Sequence, residues 1–184
     1  MRIISGQYKG RRLRAPKQLP VRPTTDMAKE ALFNILTHRY DFEQIEVLDL
    51  FSGTGNISYE FCSRGTSAIQ AVDKNRRCVK FIQQTVDNLN MQVQVLNLDV
   101  FSFLVKTTKS YDVIFADPPY DHQEFPKLAE LILDSNIFEE SGILIYEHHK
   151  NYELPEKFKN LKKVRNKKYG DSRISIYKRQ VIDD

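Results

Sequence analysis

From Glu46 onward, short apolar runs alternate with stretches of helical period. Val47–Phe51 ends at Gly53-Thr54-Gly55, and a helix is expected from there to about Ser63. Ser67 to Val72 is the second expected strand, followed by a long helix from about Asn75 to Asn90. Val93–Leu96, Tyr111–Ala116 and Ile143–Tyr146 are the third, fourth and fifth strands, separated by helices near Phe101–Val105 and from about Glu124 to Asp134. Apolar runs of strand length that alternate with helices call for a parallel sheet covered on both faces. The end of the chain differs. Leu161–Val164 and Ile174–Tyr177 flank the turn signal Tyr169-Gly170-Asp171, which predicts a terminal antiparallel hairpin. The expected fold class is therefore α/β, with a mostly parallel seven-stranded sheet.

Ahead of this alternation the pattern breaks. Ile3-Ile4 and Leu13 around Tyr8-Lys9-Gly10 predict a β-hairpin from Arg2 to Ala15. Thr25 is placed to cap a helix that runs to about Thr37, because Ala28, Ala31, Leu32, Ile35 and Leu36 fall on one helical face. Two regions are expected: a basic hairpin-and-helix extension over residues 1–40 and an α/β domain over residues 41–184.

Composition narrows the class. Apolar residues make up 41% and charged residues 28%, values of an ordinary globular protein. No apolar run approaches the ~18 residues of a membrane helix, and two cysteines make no disulfide framework. A cytoplasmic protein without a membrane partner is expected. Charge is unevenly placed: residues 1–29 hold eight Lys/Arg against one Asp, residues 30–149 hold nine against eighteen acids, and residues 150–179 hold eleven against three. An acidic centre between two basic flanks suits a catalytic unit that meets a polyanion. The N-terminal arginines interleave with glycine, tyrosine and proline, which favours nucleic acid over plain solubility.

Two motifs carry candidate chemistry. The first is the turn Asp49-Leu50-Phe51-Ser52-Gly53-Thr54-Gly55. Gly53 and Gly55 allow a tight strand-to-helix turn that a ligand can approach closely. The third glycine of a dinucleotide pattern is Ser58 here, and Asp49 offers a carboxylate that a pyrophosphate would not want. Asp73 closes the second strand, where it can accept hydrogen bonds from ribose hydroxyls. A ligand with a ribose and an ammonium group but no phosphate is S-adenosylmethionine. Asp99, after the third strand, either meets the adenine amine or caps the helix ahead of Phe101.

The second motif, Asp117-Pro118-Pro119-Tyr120, follows the fourth strand, at the edge where ligands sit in open α/β sheets. The Asp117 carboxylate and the Pro118 carbonyl are two acceptors beside an aromatic plane. They suit a flat base with an exocyclic NH₂, both of whose hydrogens can be held while Tyr120 stacks on the ring.

With Val72-Asp73-Lys74-Asn75, these motifs resemble class I S-adenosylmethionine-dependent methyltransferases that act on exocyclic amines. Three longer stretches are more specific: Arg2–Leu13, Arg22–Leu36 and Tyr169–Tyr177 resemble the bacterial RsmD family, which methylates guanine N2 in 16S rRNA. The similarity covers residues 2 to about 178. It implies a Rossmann-like methyltransferase domain and, as substrate, 16S rRNA within an assembled or nearly assembled small subunit. Carried over by position, Gly53, Gly55 and Asp73 would hold S-adenosylmethionine, which leaves as S-adenosylhomocysteine, and Asp49, Phe51, Lys74 and Asp99 are expected at the cofactor beside them. Asp117, Pro118, Pro119 and Tyr120 would hold the target guanine. Arg2, Lys9, Arg11, Arg12, Arg14, Arg22, Thr24, Lys29 and Arg173 are the RNA contacts the resemblance implies. Met27 and Lys29 stand where family members usually carry arginines.

No metal is expected, because the methyl donor's leaving group departs neutral. Adjacent His148 and His149 on a strand would point to opposite faces, and Cys62 and Cys78 read as helix-packing residues. A monomer is expected. The competing readings are a DNA adenine-N6 or cytosine-N4 methyltransferase, which usually carries a sizeable target-recognition domain, and a non-catalytic nucleic-acid-binding module.

Overall fold

The computed structural model describes residues 1–19, 24–119, 125–134 and 137–180. The chain divides into two compact units, Met1–Val100 and Phe101–Asp184.

The first unit carries three parallel strands, β1 (Glu46–Leu50), β2 (Ala68–Asp73) and β3 (Gln94–Asn97), in the order β3-β2-β1. Helix α1 (Asp26–Thr37) starts where expected, with the Thr25 hydroxyl accepting the Ala28 N–H at 3.2 Å. Helix α2 (Asn56–Ser63) follows the glycine turn directly. Helix α3 (Arg76–Leu89) is capped at its start by the Asn75 side chain and ends on Asn90 in the left-handed conformation at φ 52°. Phe33, Phe42 and Phe61 form an aromatic cluster in this core, with the Phe33 and Phe61 rings edge to face at 4.7 Å.

The N-terminal hairpin is looser than expected. Its arms make one bridge, Arg2 to Arg12, with Ile3 N donating to Arg11 O and Gly10 N to Ile3 O. A ladder cannot extend, because the Ile4 and Ser5 N–H groups go to the Glu60 carboxylate of α2 instead, at 2.8 and 3.1 Å. Gly6 (φ +82°) presses onto the end of α2, and an added Cβ would lie 1.7 Å from the Ser63 carbonyl oxygen. Residues 1–40 thus fold within the first compact unit.

Helix α4 (Val100–Lys106) opens the passage to the second unit. There β4 (Tyr111–Ala116), β5 (Phe138–His149), β6 (Lys157–Phe158), β7 (Leu161–Tyr169) and β8 (Ser172–Arg179) lie in the order β4-β5-β8-β7-β6. β4 and β5 are parallel, and the remaining pairs are antiparallel. Helix α5 (Phe125–Asp134) covers one face through Phe125, whose ring meets Tyr146, Phe158 and Tyr177. The described residues form eight strands where seven are expected, since two-residue β6 is too short to leave a period in the sequence. No described helix is long and apolar enough to cross a membrane.

Candidate active site

In the first unit, β1 delivers the chain into the turn at Phe51 (φ 56°), with Gly53 (φ 54°) and Gly55 (φ 78°) also left-handed. Gly55 leaves no room for a side chain, because a Cβ would come within 2.9 Å of the Tyr59 ring and hydroxyl. Asp73, at the end of β2, sets the turn: one carboxylate oxygen accepts Gly53 N–H at 2.8 Å and the other accepts Asn75 N–H at 2.7 Å. Two carboxylate oxygens have about four acceptor positions, so two are left for a diol. Asn97 of β3 donates to the carbonyls of Asp73 and Lys74, at 3.0 Å each, and ties two strand ends together. Lys74 and Asp99 are exposed, and Asp99 immediately precedes α4, at the capping position.

Asp49 is buried, and one of its oxygens accepts both the Ser58 N–H at 3.2 Å and the Ser58 hydroxyl at 2.5 Å. Burial raises its carboxyl pKa to about 7, with the Ser58 hydrogen bonds opposing and the Asp73 charge adding to the rise. Ser52, within the turn, buries its hydroxyl without a hydrogen-bond partner among the described residues. The turn therefore supplies a half-exposed carboxylate for a diol, a buried carboxyl for a cation and an unsatisfied hydroxyl. That donor set fits S-adenosylmethionine.

The second unit carries the other motif. β4 ends at Ala116, and Asp117 follows half-exposed, with Pro118 buried and Pro119 exposed. Tyr120 and Arg22 lie outside the described residues. His148 is buried, with Nε2 2.9 Å from the Ser175 hydroxyl, while His149 accepts the Asn151 N–H on the other face. Burial raises both cysteine thiols, Cys78 to about 11, which leaves them poor nucleophiles.

The expected RNA contacts divide. Arg2, Lys9, Arg11, Arg12 and Arg14 are exposed, Arg2 lying 3.5 Å from Asp26, and Arg173 is half-buried. A shallow groove of about 440 Å³, lined by Met1, Leu13, Arg14, Lys17, Leu19 and Thr54 among others, runs beside the glycine turn. Lys29 and Thr24 are corrections. Lys29 is fully buried, its amine bonded to Arg2 O at 2.6 Å and Asn56 Oδ1 at 2.8 Å and paired with Glu60 at 3.4 Å. Thr24 is buried and its carbonyl accepts the Asn56 amide. Both face the protein because α1 lays that side against α2, where Glu60 is the matching charge. Glu60 and Asn56 carry no sequence signal beyond their place in the helix after the glycines, and Ser58 stands out only as the missing third glycine.

A family model described as Conserved hypothetical protein 95 matches residues 1–178. "Putative rRNA methyltransferase YlbH" of Bacillus subtilis is 35% identical over 98% of this chain and 100% of its own length. "Ribosomal RNA small subunit methyltransferase D" of Escherichia coli K12 is 28% identical over 98% of this chain and 90% of its own. The solved structure of an Escherichia coli protein titled "Putative methyltransferase yhhF" superposes with a TM-score of 0.85 at 26% identity, covering 99% of each chain.

Proposed function

The chain belongs to the family of that model, the RsmD methyltransferases, and from that premise we propose that it methylates the exocyclic N2 amine of a guanine in 16S rRNA. Its substrate is the assembled or nearly assembled small subunit. The observation that carries the reading is the Asp73 carboxylate, locked by Gly53 and Asn75 with acceptor positions left over, in a chain that also places Asp117 at a strand end. S-adenosylmethionine supplies a methyl group on a sulfonium that leaves as a neutral thioether. Asp73 holds the ribose diol, Asp49 faces the cationic end, and the turn at Phe51, Gly53 and Gly55 admits the nucleoside, with Lys74 and Asp99 at its rim.

Asp117 and Pro118 act on the amine. The lone pair of an aromatic NH₂ is delocalised into the ring, so the free amine is a poor nucleophile. Accepting both N–H groups on the Asp117 carboxylate and the Pro118 carbonyl favours a tetrahedral nitrogen and aims its lone pair. Positive charge builds on that nitrogen as the C–N bond forms, so the carboxylate interaction strengthens in the transition state. The methylated nitrogen is then acidic, and its proton passes to Asp117 or water. Pro119 stiffens the loop, and Tyr120 stacks on the base. Residues 1–40 serve as an RNA-contacting extension through Arg2, Lys9, Arg11, Arg12, Arg14 and Arg22, and Arg173 contributes from the closing hairpin.

The test is incubation of purified protein and labelled S-adenosylmethionine with small subunits from cells lacking the enzyme, followed by nucleoside analysis. Label in N2-methylguanosine is expected. Label only as N6-methyladenine in DNA would transfer the assignment to a DNA methyltransferase.

A further inference from the structure

β8 is the middle strand of an antiparallel trio, and one rung of it is cationic. Arg173 on β8 stands opposite His148 of β5 on one side and Lys168 of β7 on the other. Residues directly opposite in such a pair point to the same face with Cβ atoms about 5 Å apart, and like charges in that relation repel. The repulsion is uncompensated. Among the described residues neither Arg173 nor Lys168 has an acidic partner, and the Arg173 Nε is buried without an acceptor. Nearby acids are engaged or turned away: Asp171 pairs with Lys150, Glu156 with Lys163, and Glu147 lies opposite Ile174 on the other face. A buried guanidinium N–H and a cross-strand cation pair are both features that fold against stability unless an anion joins them.

The rung's position says which anion. β4 and β5 are parallel, and Ala116, the last residue of β4, is in register with Tyr146. His148 is two residues further along β5, level with the loop that opens at Asp117. With strands spaced about 4.8 Å apart, Arg173 and Lys168 stand roughly 10 and 14 Å across the sheet from the line of β4. That is within the reach of one nucleotide and its neighbour.

The geometry points to a phosphate clamp formed by Arg173 and Lys168, which grips the RNA backbone beside the nucleotide whose amine Asp117 holds. This rests on the methyltransferase reading above and adds to it a specific anionic group and the pair that takes it. The planar Arg173 fork suits two phosphate oxygens, and the exposed Lys168 ammonium adds a mobile point charge.

The experiment compares Lys168→Gln, Arg173→Gln and Lys162→Gln in the full chain. Lys162 faces Lys178 at the far end of the same hairpin, on its opposite face, and serves as the diffuse-charge control. The readouts are kcat and KM for unmethylated small subunits, and the salt dependence of binding to a single-stranded RNA oligonucleotide. Each clamp variant is expected to raise KM by about three- to tenfold with kcat nearly kept, and to lower the slope of log K against log salt by about 0.7, one phosphate contact. Lys162→Gln should leave both unchanged. Because Lys168 is exposed and its charge opposes Arg173, its variant should melt no lower than the parent and bind S-adenosylmethionine equally well, which keeps the test open even if Arg173→Gln fails to fold. A wild-type slope and KM in Lys168→Gln, or an equal loss in Lys162→Gln, overturns the clamp. A wild-type protein that methylates no rRNA overturns the functional reading instead, and the salt slopes still decide the clamp.

Discussion

The two basic flanks carry almost the same charge, and each exposes most of it, yet the cation each buries meets a different partner: Lys29 a buried carboxylate, Lys163 the Leu154 carbonyl and the exposed carboxylate of Glu156. In the N-terminal flank part of the charge turns inward. Lys29 disappears into α1's buried face, where Glu60 receives it together with Arg64 at 2.9 Å and two backbone N–H groups. In the C-terminal flank, β7 exposes Lys162, Arg165, Lys167 and Lys168, and on β8 Arg173 has no acid partner among the described residues. The difference lies in what faces each segment. α1 packs against a helix that carries a buried carboxylate, whereas β7 is one strand from the end of its sheet and its neighbours are themselves basic. Net charge over a stretch of sequence therefore measures neither available charge nor binding surface; the facing acids decide both.

The contrast breaks first at Glu60. Glu60→Gln keeps the shape but leaves Lys29 buried without its counter-charge, which should lower stability by about 3–5 kcal/mol in urea unfolding. Lys168→Gln should bring no such loss, since it removes one of two facing cations.

Asp117→Ala, in the second unit, should lower kcat by about 10²–10³-fold, the cost of one preorganised electrostatic group, with cofactor and RNA affinities nearly intact. Asp117→Asn should fall between alanine and wild type. Single-turnover transfer by the asparagine variant at the wild-type rate would show that charge at this position is not used.

Asp73→Ala should weaken S-adenosylmethionine binding by about 1.5–3 kcal/mol, roughly ten- to more than a hundredfold, in calorimetry. RNA binding should persist, because Asp73 bonds Gly53 and Asn75 and none of the exposed arginines.

The smallest effect is a pH dependence. Burial holds the Asp49 carboxyl protonated up to about pH 7, above its ordinary value of 3.8. A raised acid pKa means the folded chain binds the extra proton, so this contribution to stability is complete below about pH 4 and is lost as pH rises through 7. Binding of a cationic ligand has the opposite sign, since it favours the ionised form. Affinity for S-adenosylmethionine should rise by up to tenfold between pH 6 and 8, and Asp49→Asn should flatten the rise. A flat profile in the wild type would remove Asp49 from the cofactor's cationic end.

Local signals were the legible part. Thr25 and Asn75 cap helices because their side chains bond the first free N–H groups, and that chemistry is written in the residue itself. The glycine turn was equally readable, since a short apolar strand ending in two closely spaced glycines leaves few arrangements; the bond from Gly53 N–H to Asp73 was not, because it joins groups on different strands. What escaped depends on partners distant in the chain. β5 begins at Phe138 rather than Ile143, because Phe138 pairs with Tyr111 across an irregularity that the polar stretch Glu139–Ser141 hides. Lys29 reads as a surface cation until Glu60 is known to lie against it. The single bridge of the N-terminal hairpin has the same cause, as Glu60 takes the N–H groups a ladder would have used.

That capture of Ile4 and Ser5 also sets an order of events during synthesis. Their acceptor lies 56 and 55 residues downstream, respectively, so these two N–H groups wait for their partner until α2 has left the ribosome. At about 5–20 residues per second this leaves the basic leader exposed for some seconds. Over that interval Lys29 also lacks the carboxylate that neutralises it in the folded chain. Completion of α2 brings Lys29 to Glu60 and fixes Ile4 and Ser5, so the timing of one helix sets when the N-terminal segment takes its folded form.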